Sequence, residues 1–267
     1  MPDQKPPTVQ QLFDLTGRTA LVTGASSPLG FAMASALAEA GARVIAASRD
    51  LKKASATASK LGGAEQGKHL PAAINLMNEP ALQRGFASAL KKAGSIDILV
   101  NNGHEVLAAD WRTVTAAQFN RQLANQTGYF LLARLVRDHA VERKARASII
   151  MLGSMYGQVG SYPEVYEGIS NASPAAYQAL KGGIIQLARH LAVYWARDGV
   201  RVNCLSPGPF PSSSAPQQLV KRLKARSPMR RMGQPHELKG AIVFLASDAS
   251  SYVTGHNLVV DGGWTAW

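Results

Sequence analysis

Short apolar runs alternate with helical segments along almost the whole chain, and this alternation constrains the fold more than any other feature. The runs, such as TALVT and IDILV, are rich in apolar and β-branched residues, as buried strands are. We predict strands at 19–23, 43–47, 69–74, 96–100, 148–152, 200–205 and 257–260, and helices at 29–40, 51–61, 79–92, 115–141, 174–196 and 236–246. The pattern indicates one α/β domain, a doubly wound parallel sheet of about seven strands with helices on both faces. A ligand is expected at the carboxyl ends of the strands.

The composition is that of a globular protein large enough to bury a substantial core. Of the 267 residues, 46% are hydrophobic, and no apolar run reaches the roughly 18 residues of a membrane span. The first residues lack the apolar segment of a secretory signal, so we expect a cytoplasmic protein. The single cysteine, Cys204, excludes a disulfide framework, and the histidines show no metal-ligand spacing, so we expect no metal. Residues 1–12 are predicted to form a flexible arm before a domain at 13–267.

The chain is basic, with a net charge of +12. Such a charge is compatible with nucleic acid, a membrane surface or an anionic substrate as a partner. Most of the basic residues are scattered, which is typical of a solvated surface, so we expect no membrane partner and no nucleic acid. The exception is 221–231, which holds six Lys or Arg residues and no acid. This cluster favours an anionic small molecule, although a solvated basic helix or a subunit contact would look the same.

A glycine-containing turn follows the first predicted strand and reads TGASSPLG over residues 23–30. Gly24 would allow a tight turn, and Gly30 would let the next helix pack close to the sheet. The amides of such a turn and of a helix N-terminus can bind a pyrophosphate, so we expect Ser26, Ser27 and Leu29 to contribute. The G-x-G-x-x-G spacing is absent, and an ordinary strand-to-helix turn is the alternative.

Further motifs follow in order along the chain. They are DILVNN at 97–102, NQTGYF beginning at Asn125, Ser154 after the fifth strand, YQALK at 177–181, NCLSPG at 203–208 and VTGHNLVVDGGW at 253–264. Together they resemble the short-chain dehydrogenase/reductase family from about Leu12 to Trp267. The resemblance implies a Rossmann-type fold, a bound nicotinamide dinucleotide and hydride transfer at a carbonyl or hydroxyl carbon. Within that family, the sequence segments at the two ends of this region look most like those of sugar-acid 5-dehydrogenases and 3-oxoacyl-carrier-protein reductases.

The resemblance also implies which residues bind the cofactor and where the chain departs from the family. The further cofactor-binding residues it implies are Asn75, Leu76, Asn102, Gly103, Pro207, Gly208 and Ser212, together with Tyr177 and Lys181. Pro28 replaces the middle glycine of the turn and removes an amide donor. His104 ends the motif NNGH where the family has NNAG, and Asn75 stands where an aspartate is usual.

The end of the second strand bears on cofactor choice. An acid there would bind the ribose 2′-hydroxyl of NAD, whereas an arginine accommodates the 2′-phosphate of NADP. Ser48 occupies the acid position and Arg49 follows it. We therefore predict a preference for NADP(H), with NAD(H) also possible. Arg49 could instead be a solvated residue or pair with Asp50.

The resemblance assigns catalysis to Asn125, Ser154, Tyr177 and Lys181. Tyr177 and Lys181 are four residues apart on a predicted helix and share one face. In the family's mechanism Tyr177 exchanges a proton with the substrate oxygen, and Lys181 lowers its pKa and binds the nicotinamide ribose. Ser154 would polarise the carbonyl, and Asn125 would bend a helix around a water that relays protons through Lys181.

The spacing between Ser154 and Tyr177 is longer than is usual in the family. The extra material lies within 161–173, SYPEVYEGISNAS, so Ser170 and Ser173 compete with Ser154 for its role. We prefer Ser154 because it directly follows a strand. The insert 161–173 could line a polar substrate site or form only a surface loop. His104 is expected to be a hydrogen-bonded structural residue, and Cys204 a buried small residue.

These observations lead to one functional prediction and two alternatives. We expect an NADP(H)-preferring oxidoreductase that interconverts a ketone and a secondary alcohol, acting on a sugar acid or another anionic carbonyl compound under a lid at 209–232. The alternatives are a 3-oxoacyl-carrier-protein reductase and, in another class, a catalytically weak Rossmann protein that senses a dinucleotide or binds nucleic acid. The resemblance also implies a homotetramer, with the last strand, Trp264 and Trp267 suited to the interface.

Overall fold

The computed structural model describes residues 5–107, 109–171 and 173–267, and its centre is one parallel sheet. The strand order is β3-β2-β1-β4-β5-β6-β7, and every neighbouring pair is parallel. The strands are β1 (Thr19–Thr23), β2 (Arg43–Ser48), β3 (Leu70–Ala73), β4 (Ile98–Asn101), β5 (Ala147–Leu152), β6 (Val200–Pro207) and β7 (Asn257–Val260). The order reverses between β1 and β4, where a doubly wound sheet forms a crevice. The predicted fold class is confirmed.

Nine helices are found in the described ranges. They are α1 (Val9–Phe13), α2 (Pro28–Glu39), α3 (Leu51–Ala58), α4 (Glu79–Ala93), α5 (Ala116–Glu142), α6 (Pro163–Tyr166), α7 (Ala175–Trp195), α8 (Gln217–Arg226) and α9 (Lys239–Ala246). The described part of the chain contains no helix that is both long and apolar enough to cross a membrane. The predicted segments agree with the observed ones to within a few residues at each end.

Alternate residues of the strands enter separate apolar cores on the two faces of the sheet. On β1, Leu21 faces a core that includes Tyr129 of α5 and residues of α4 and α7. Its neighbour Val22 faces a second core, with Met33 of α2 and residues of α9. All five residues of β1 are buried, so both faces are covered. This burial explains why the strands are nearly continuous in apolar residues.

Helices α1 and α6 were not predicted from the sequence. A capping box between Thr8 and Gln11 starts α1, which begins within the predicted arm 1–12 and ends one residue beyond it, at Phe13. The arm's flexibility stays a prediction, and residues 1–4 of it lie outside the described residues. Helix α6 lies within the insert 161–173, and α8 lies within the predicted lid 209–232. At four and five residues, α6 and α1 are too short for periodicity to reveal them.

The parallel strands bring the predicted motifs to one edge of the sheet. Gly24 follows β1, Ser48 ends β2, Asn102 follows β4 and Ser154 follows β5. Because carboxyl ends of parallel strands meet at the same edge, these residues lie along one edge of the sheet.

Candidate active site

A cleft of about 530 Å³ opens at the carboxyl ends of the strands. The predicted residues that line it are Gly24, Ser26, Ser27, Leu29, Ser48, Arg49, Leu76, Asn102, Gly103, Asn125 and Ser212. The predicted residues outside this lining are Gly30, Asn75, Ser154, Tyr177, Lys181, Pro207 and Gly208. The cleft is also lined by residues that the sequence analysis did not assign to it, among them Lys53, Glu105 and Phe210.

A larger cavity, of about 940 Å³, lies at the opposite, amino-terminal edge of the sheet. Its arginines are engaged within the protein: Arg18 pairs with Asp248, and Arg143 with Asp97. Arg201 donates to backbone carbonyls, and its burial lowers its pKa to about 10. Among the described residues, those predicted to be functional do not reach this cavity. The smaller cleft is therefore the candidate site.

The glycine turn has the tight geometry that the sequence predicted. Gly24 has a φ of 62°, and a Cβ there would lie 2.6 Å from the Cα of Gly103. A Cβ on Gly30 would collide with the carbonyl oxygen of Gly24, so Gly30 lies beneath the cleft. Both positions require glycine because two backbone segments meet there.

The N-terminus of α2 has an amide directed at the cleft. The Ser27 hydroxyl caps the helix by accepting from the Gly30 amide at 3.1 Å. Pro28 is the first helical residue, where a missing N–H costs the helix nothing. The Leu29 amide has no acceptor within the part of the chain that the structure describes. This arrangement fits the pyrophosphate of a dinucleotide, with one donor fewer than a glycine at position 28 would give.

Asn102 supports the turn. Its side-chain amide donates to the carbonyl oxygens of Thr23 and Gly24, each at 3.1 Å. In return, the Thr23 hydroxyl accepts from the backbone amides of Asn102 and Gly103, both at 3.0 Å. Asn102 and Gly103 line the cleft, but the Asn102 side chain mainly holds β1 and β4 together where the cleft begins.

Basic side chains lie beside the cleft where β2 ends. Arg49 forms an ion pair with Glu105 at 3.0 Å rather than with Asp50. Asp50 instead caps α3, since its carboxylate accepts from the Lys52 and Lys53 amides. The sequence did not predict a role for Glu105, because the loop after β4 meets the end of β2 only in the tertiary structure.

Asn75 does not line the cleft, and its contact with a dinucleotide stays a prediction. Its side-chain oxygen accepts from the Met77 amide at 3.0 Å and closes the local turn. Pro207 and Gly208 are also absent from the lining. A Cβ on Gly208 would lie 2.5 Å from the Cα of Asp261, so glycine is required there for packing against the end of β7.

Asn125 connects α5 to the loop after β4. Its side-chain oxygen accepts from the Glu105 amide at 2.7 Å, and its amide donates to the carbonyl oxygens of Glu105 and Gln122 at 3.2 and 2.8 Å. The Gln122 carbonyl belongs to α5 itself, so the Asn125 amide binds an acceptor of its own helix. The relay of protons through a water near Asn125 stays a prediction.

Tyr177, Lys181 and Ser154 come together at the start of α7. The Ser154 hydroxyl lies near enough to the Tyr177 phenol to lower its pKa, and Nζ of Lys181 lies 5.6 Å from the centroid of the tyrosine ring. Ser154 thus takes the position for which Ser170 and Ser173 were the competitors. Lys181 is buried and donates to the carbonyl oxygen of Leu152 at 2.7 Å. Burial lowers the pKa of Lys181 to about 8.

The pKa of Tyr177 corrects one expectation. The resemblance implies that Lys181 lowers it, but burial raises the pKa of Tyr177, and the nearby Ser154 hydroxyl only partly opposes this. The physical reason is that the Lys181 ammonium is directed at the Leu152 carbonyl rather than at the phenol oxygen. Tyr177 is therefore a neutral phenol at neutral pH.

His104 and Cys204 lie close to this set. The ring centroids of His104 and Tyr177 are 6.1 Å apart. Burial, and then the charge of Lys181, lower the pKa of His104 to about 4, so the imidazole is neutral. Cys204 is buried in β6, as predicted, and its burial raises the pKa of its thiol to about 11.

The charge of the basic lid and the burial of Trp264 differ from expectation. The cluster 221–231 is partly compensated, because Arg226 pairs with Glu164 and Arg231 with Glu237, each at 2.6 Å. Trp264 is only 2% exposed and belongs to a small apolar core, so it is not available for a subunit interface as predicted. Its packing against the insert could not be read from the sequence.

Comparisons with known proteins agree with this geometry. A family model described as enoyl-(acyl carrier protein) reductase matches residues 24–265. The galactitol 2-dehydrogenase (L-tagatose-forming) of Cereibacter sphaeroides is 35% identical, aligned over 96% of this chain and 98% of that protein. The 5-keto-D-gluconate 5-reductase of Escherichia coli (strain K12) is 33% identical over 96% of this chain and 98% of its own.

A solved structure extends the likeness to three dimensions. A gluconate 5-dehydrogenase from Burkholderia cenocepacia J2315, in complex with NADP and tartrate, has a TM-score of 0.86 and 29% identity. The match covers 97% of this chain and 100% of that one. With the parallel sheet, the glycine turn and the Ser–Tyr–Lys set, these matches show that the chain belongs to the short-chain dehydrogenase/reductase family of NAD(P)-binding oxidoreductases.

Proposed function

We propose that this protein is an NADP(H)-preferring oxidoreductase that interconverts a ketone and a secondary alcohol on a polyhydroxylated substrate, such as a sugar acid or a polyol. The observation that carries the proposal is that the hydroxyls of Ser154 and Tyr177 lie near each other, with the Lys181 ammonium 5.6 Å from the tyrosine ring. Two neighbouring hydroxyls can bind one carbonyl oxygen between them, which is what proton transfer to that oxygen requires.

Each residue of the site has a separate role in the proposed reaction. A bound nicotinamide supplies or accepts the hydride. Ser154 donates a hydrogen bond that orients the carbonyl oxygen, and Tyr177 donates the proton that this oxygen takes up. Burial keeps the Tyr177 phenol protonated, which is the form that reduction of a ketone requires. Lys181, charged below a pKa of about 8, would hold the nicotinamide ribose of a bound cofactor.

The preference for NADP(H) is supported by the cations at the end of β2. Ser48 leaves this position without a carboxylate that would repel a phosphate. Arg49 is well exposed at the edge of the cleft, and Lys53 lines the same region. Glu105 also binds Arg121, at 2.6 Å, so Arg49 can leave Glu105 for a 2′-phosphate without stranding that carboxylate. The Burkholderia relative was solved with NADP.

Replacement of Arg49 by alanine tests this preference. Loss of a charge-assisted phosphate contact costs about 1.5–3 kcal/mol, so Kd for NADPH should rise at least tenfold. NADH affinity should change little, because NADH lacks the phosphate. Lys52→Ala, which removes a neighbouring cation that does not line the cleft, is the matched control. An equal loss for NADPH and NADH in Arg49→Ala would refute the preference.

The charge of the substrate remains part of the proposal. The relatives include a 5-keto-D-gluconate 5-reductase, named for a sugar acid, and a galactitol 2-dehydrogenase, named for a neutral polyol. Arg222 and Arg226, both within the predicted lid 209–232, contact the insert. Attraction of an anion would therefore depend on the remaining lid cations, Lys221, Lys224 and Arg230.

A further inference from the structure

The guanidinium group of Arg222 joins the insert 161–173 to the lid helix α8. Nη1 of Arg222 donates to the carbonyl oxygens of Glu164, Val165 and Glu167, at 3.0, 3.3 and 2.7 Å. These carbonyls belong to α6 and its C-terminal cap, the end of a helix at which a cation is favourable. The contact joins residues more than fifty positions apart in sequence, so it is tertiary.

A second arginine and an apolar core strengthen the attachment. Arg226 pairs with Glu164 and lies 4.9 Å from the centroid of the Tyr162 ring. The Tyr162 ring packs in turn against Trp264, with centroids 5.6 Å apart. Beneath them, Val165 of the insert lies in the same apolar core as residues of α8. The insert and the lid helix therefore form one packed unit.

The fastened insert brings Tyr166 to the catalytic tyrosine. The hydroxyls of Tyr166 and Tyr156 are hydrogen-bonded at 2.6 Å, and Tyr156 lies two residues after Ser154. Tyr166 and Tyr177 pack against the same small core, which contains Tyr156. Tyr166 is close enough to raise the pKa of Tyr177. Tyr166 and Tyr177 thus border the same small core, and Tyr166 comes from a segment that the family's usual spacing does not contain.

The tyrosine pair is a neutral hydrogen-bonding group. Burial raises the pKa of Tyr156 and Tyr166 above that of a free phenol, so both stay protonated. One hydroxyl donates to the other, which leaves one hydrogen and free lone pairs for a ligand. Such a pair suits a substrate hydroxyl, which also both donates and accepts. A carboxylate fits less well, because both hydroxyls of the pair are uncharged.

We propose that Tyr166 is a specificity-determining residue that, with Tyr156, binds a hydroxyl group of the substrate next to the carbon that reacts at Tyr177. The substrate class is an open-chain or cyclic ketone with a hydroxyl beside its carbonyl. Arg222 is a positioning residue, since it acts by holding the backbone on either side of Tyr166. This inference rests on the proposed function, and it specifies the group that distinguishes the substrate.

Kinetics with two ketones and two matched variants test the proposal. The probes are 5-keto-D-gluconate, which has neighbouring hydroxyls, and cyclohexanone, which has none. Tyr166→Phe should raise KM for the keto acid about three- to tenfold, as for loss of one neutral hydrogen bond, and leave cyclohexanone kinetics unchanged. The control Tyr162→Phe keeps its ring contacts in the same insert and should change neither. Equal effects on both ketones, or no effect on either, would overturn the assignment of Tyr166.

The role of Arg222 is tested by non-additivity. Arg222→Ala should raise KM for the keto acid as Tyr166→Phe does, and the double variant should be no worse than the poorer single one. Additive effects would mean that Arg222 does not act through Tyr166. Arg222→Lys, which retains the charge and one donor to the carbonyls, should recover part of the loss in KM.

A binding measurement separates this inference from the proposed function. Galactitol should raise the unfolding temperature of the NADP+-saturated wild type, and Tyr166→Phe should reduce that shift while Tyr162→Phe retains it. If galactitol causes no shift in the wild type, the inference is wrong, even if cyclohexanone is reduced. If the shift depends on Tyr166 but neither ketone is reduced with NADPH, the inference holds and the proposed activity fails.

Discussion

Replacement of Lys181 by methionine should change how stability depends on pH. The ammonium of Lys181 is buried, and its pKa is lowered from 10.5 to about 8. Between these two values the unfolded chain holds a proton that the folded protein has lost. The folded state is therefore favoured as pH rises through this window, and the free energy of unfolding increases. Methionine fills a similar volume without a charge and should remove this dependence.

The size of the effect follows from the shift. Each pKa unit corresponds to about 1.4 kcal/mol, so wild type should gain about 2 kcal/mol over Lys181→Met between about pH 7 and 9.5. The lost hydrogen bond to Leu152 adds an offset that changes little below pH 8. His104 is neutral throughout, with a pKa of about 4. Cys204 has a pKa of about 11, above this window.

Urea unfolding of both cofactor-free proteins at several pH values measures this difference. The two curves of unfolding free energy against pH should diverge above about pH 8, with wild type rising. The methionine variant should also lose turnover, because the catalytic set loses its cation. Parallel curves would show that the Lys181 ammonium is not desolvated in the folded state, which would refute the reasoning.

Three further predictions concern the site, the lid and the assembly. Tyr177→Phe should abolish turnover and leave dinucleotide binding within a few-fold, since only the proton donor is lost; wild-type kcat would disprove the mechanism. If the exposed lid cations Lys221 and Lys224 attract an anionic substrate, kcat/KM for 5-keto-D-gluconate should fall with ionic strength, and a salt-independent value would exclude that role. Light scattering at micromolar concentration should give a homotetramer, which the exposed Trp267 and the half-exposed edge strand β7 could support; a monomer would contradict it.

The sequence alone was sufficient for the fold, and it named Ser154, Tyr177 and Lys181, which the structure brings together at the start of α7. Strands such as β1 are buried on both faces, so their apolar runs appear directly in the sequence. Tyr177 and Lys181 share a helical face because of their spacing, and this depends on local geometry only. Gly24 and Gly30 could be identified because a Cβ would collide with backbone in the turn.

What only the tertiary structure decided depends on contacts between distant segments. The segment 221–231 contains six basic residues and no acid. The acid that pairs with Arg226 is Glu164, which lies in the insert, 62 positions earlier in the sequence. Arg49 meets Glu105 for the same reason, across 56 positions. The pKa of Tyr177 depends on how deeply the phenol is buried and on where the Lys181 ammonium points. Neither local spacing nor composition determines these properties, because burial and ion pairing arise only when the chain has folded.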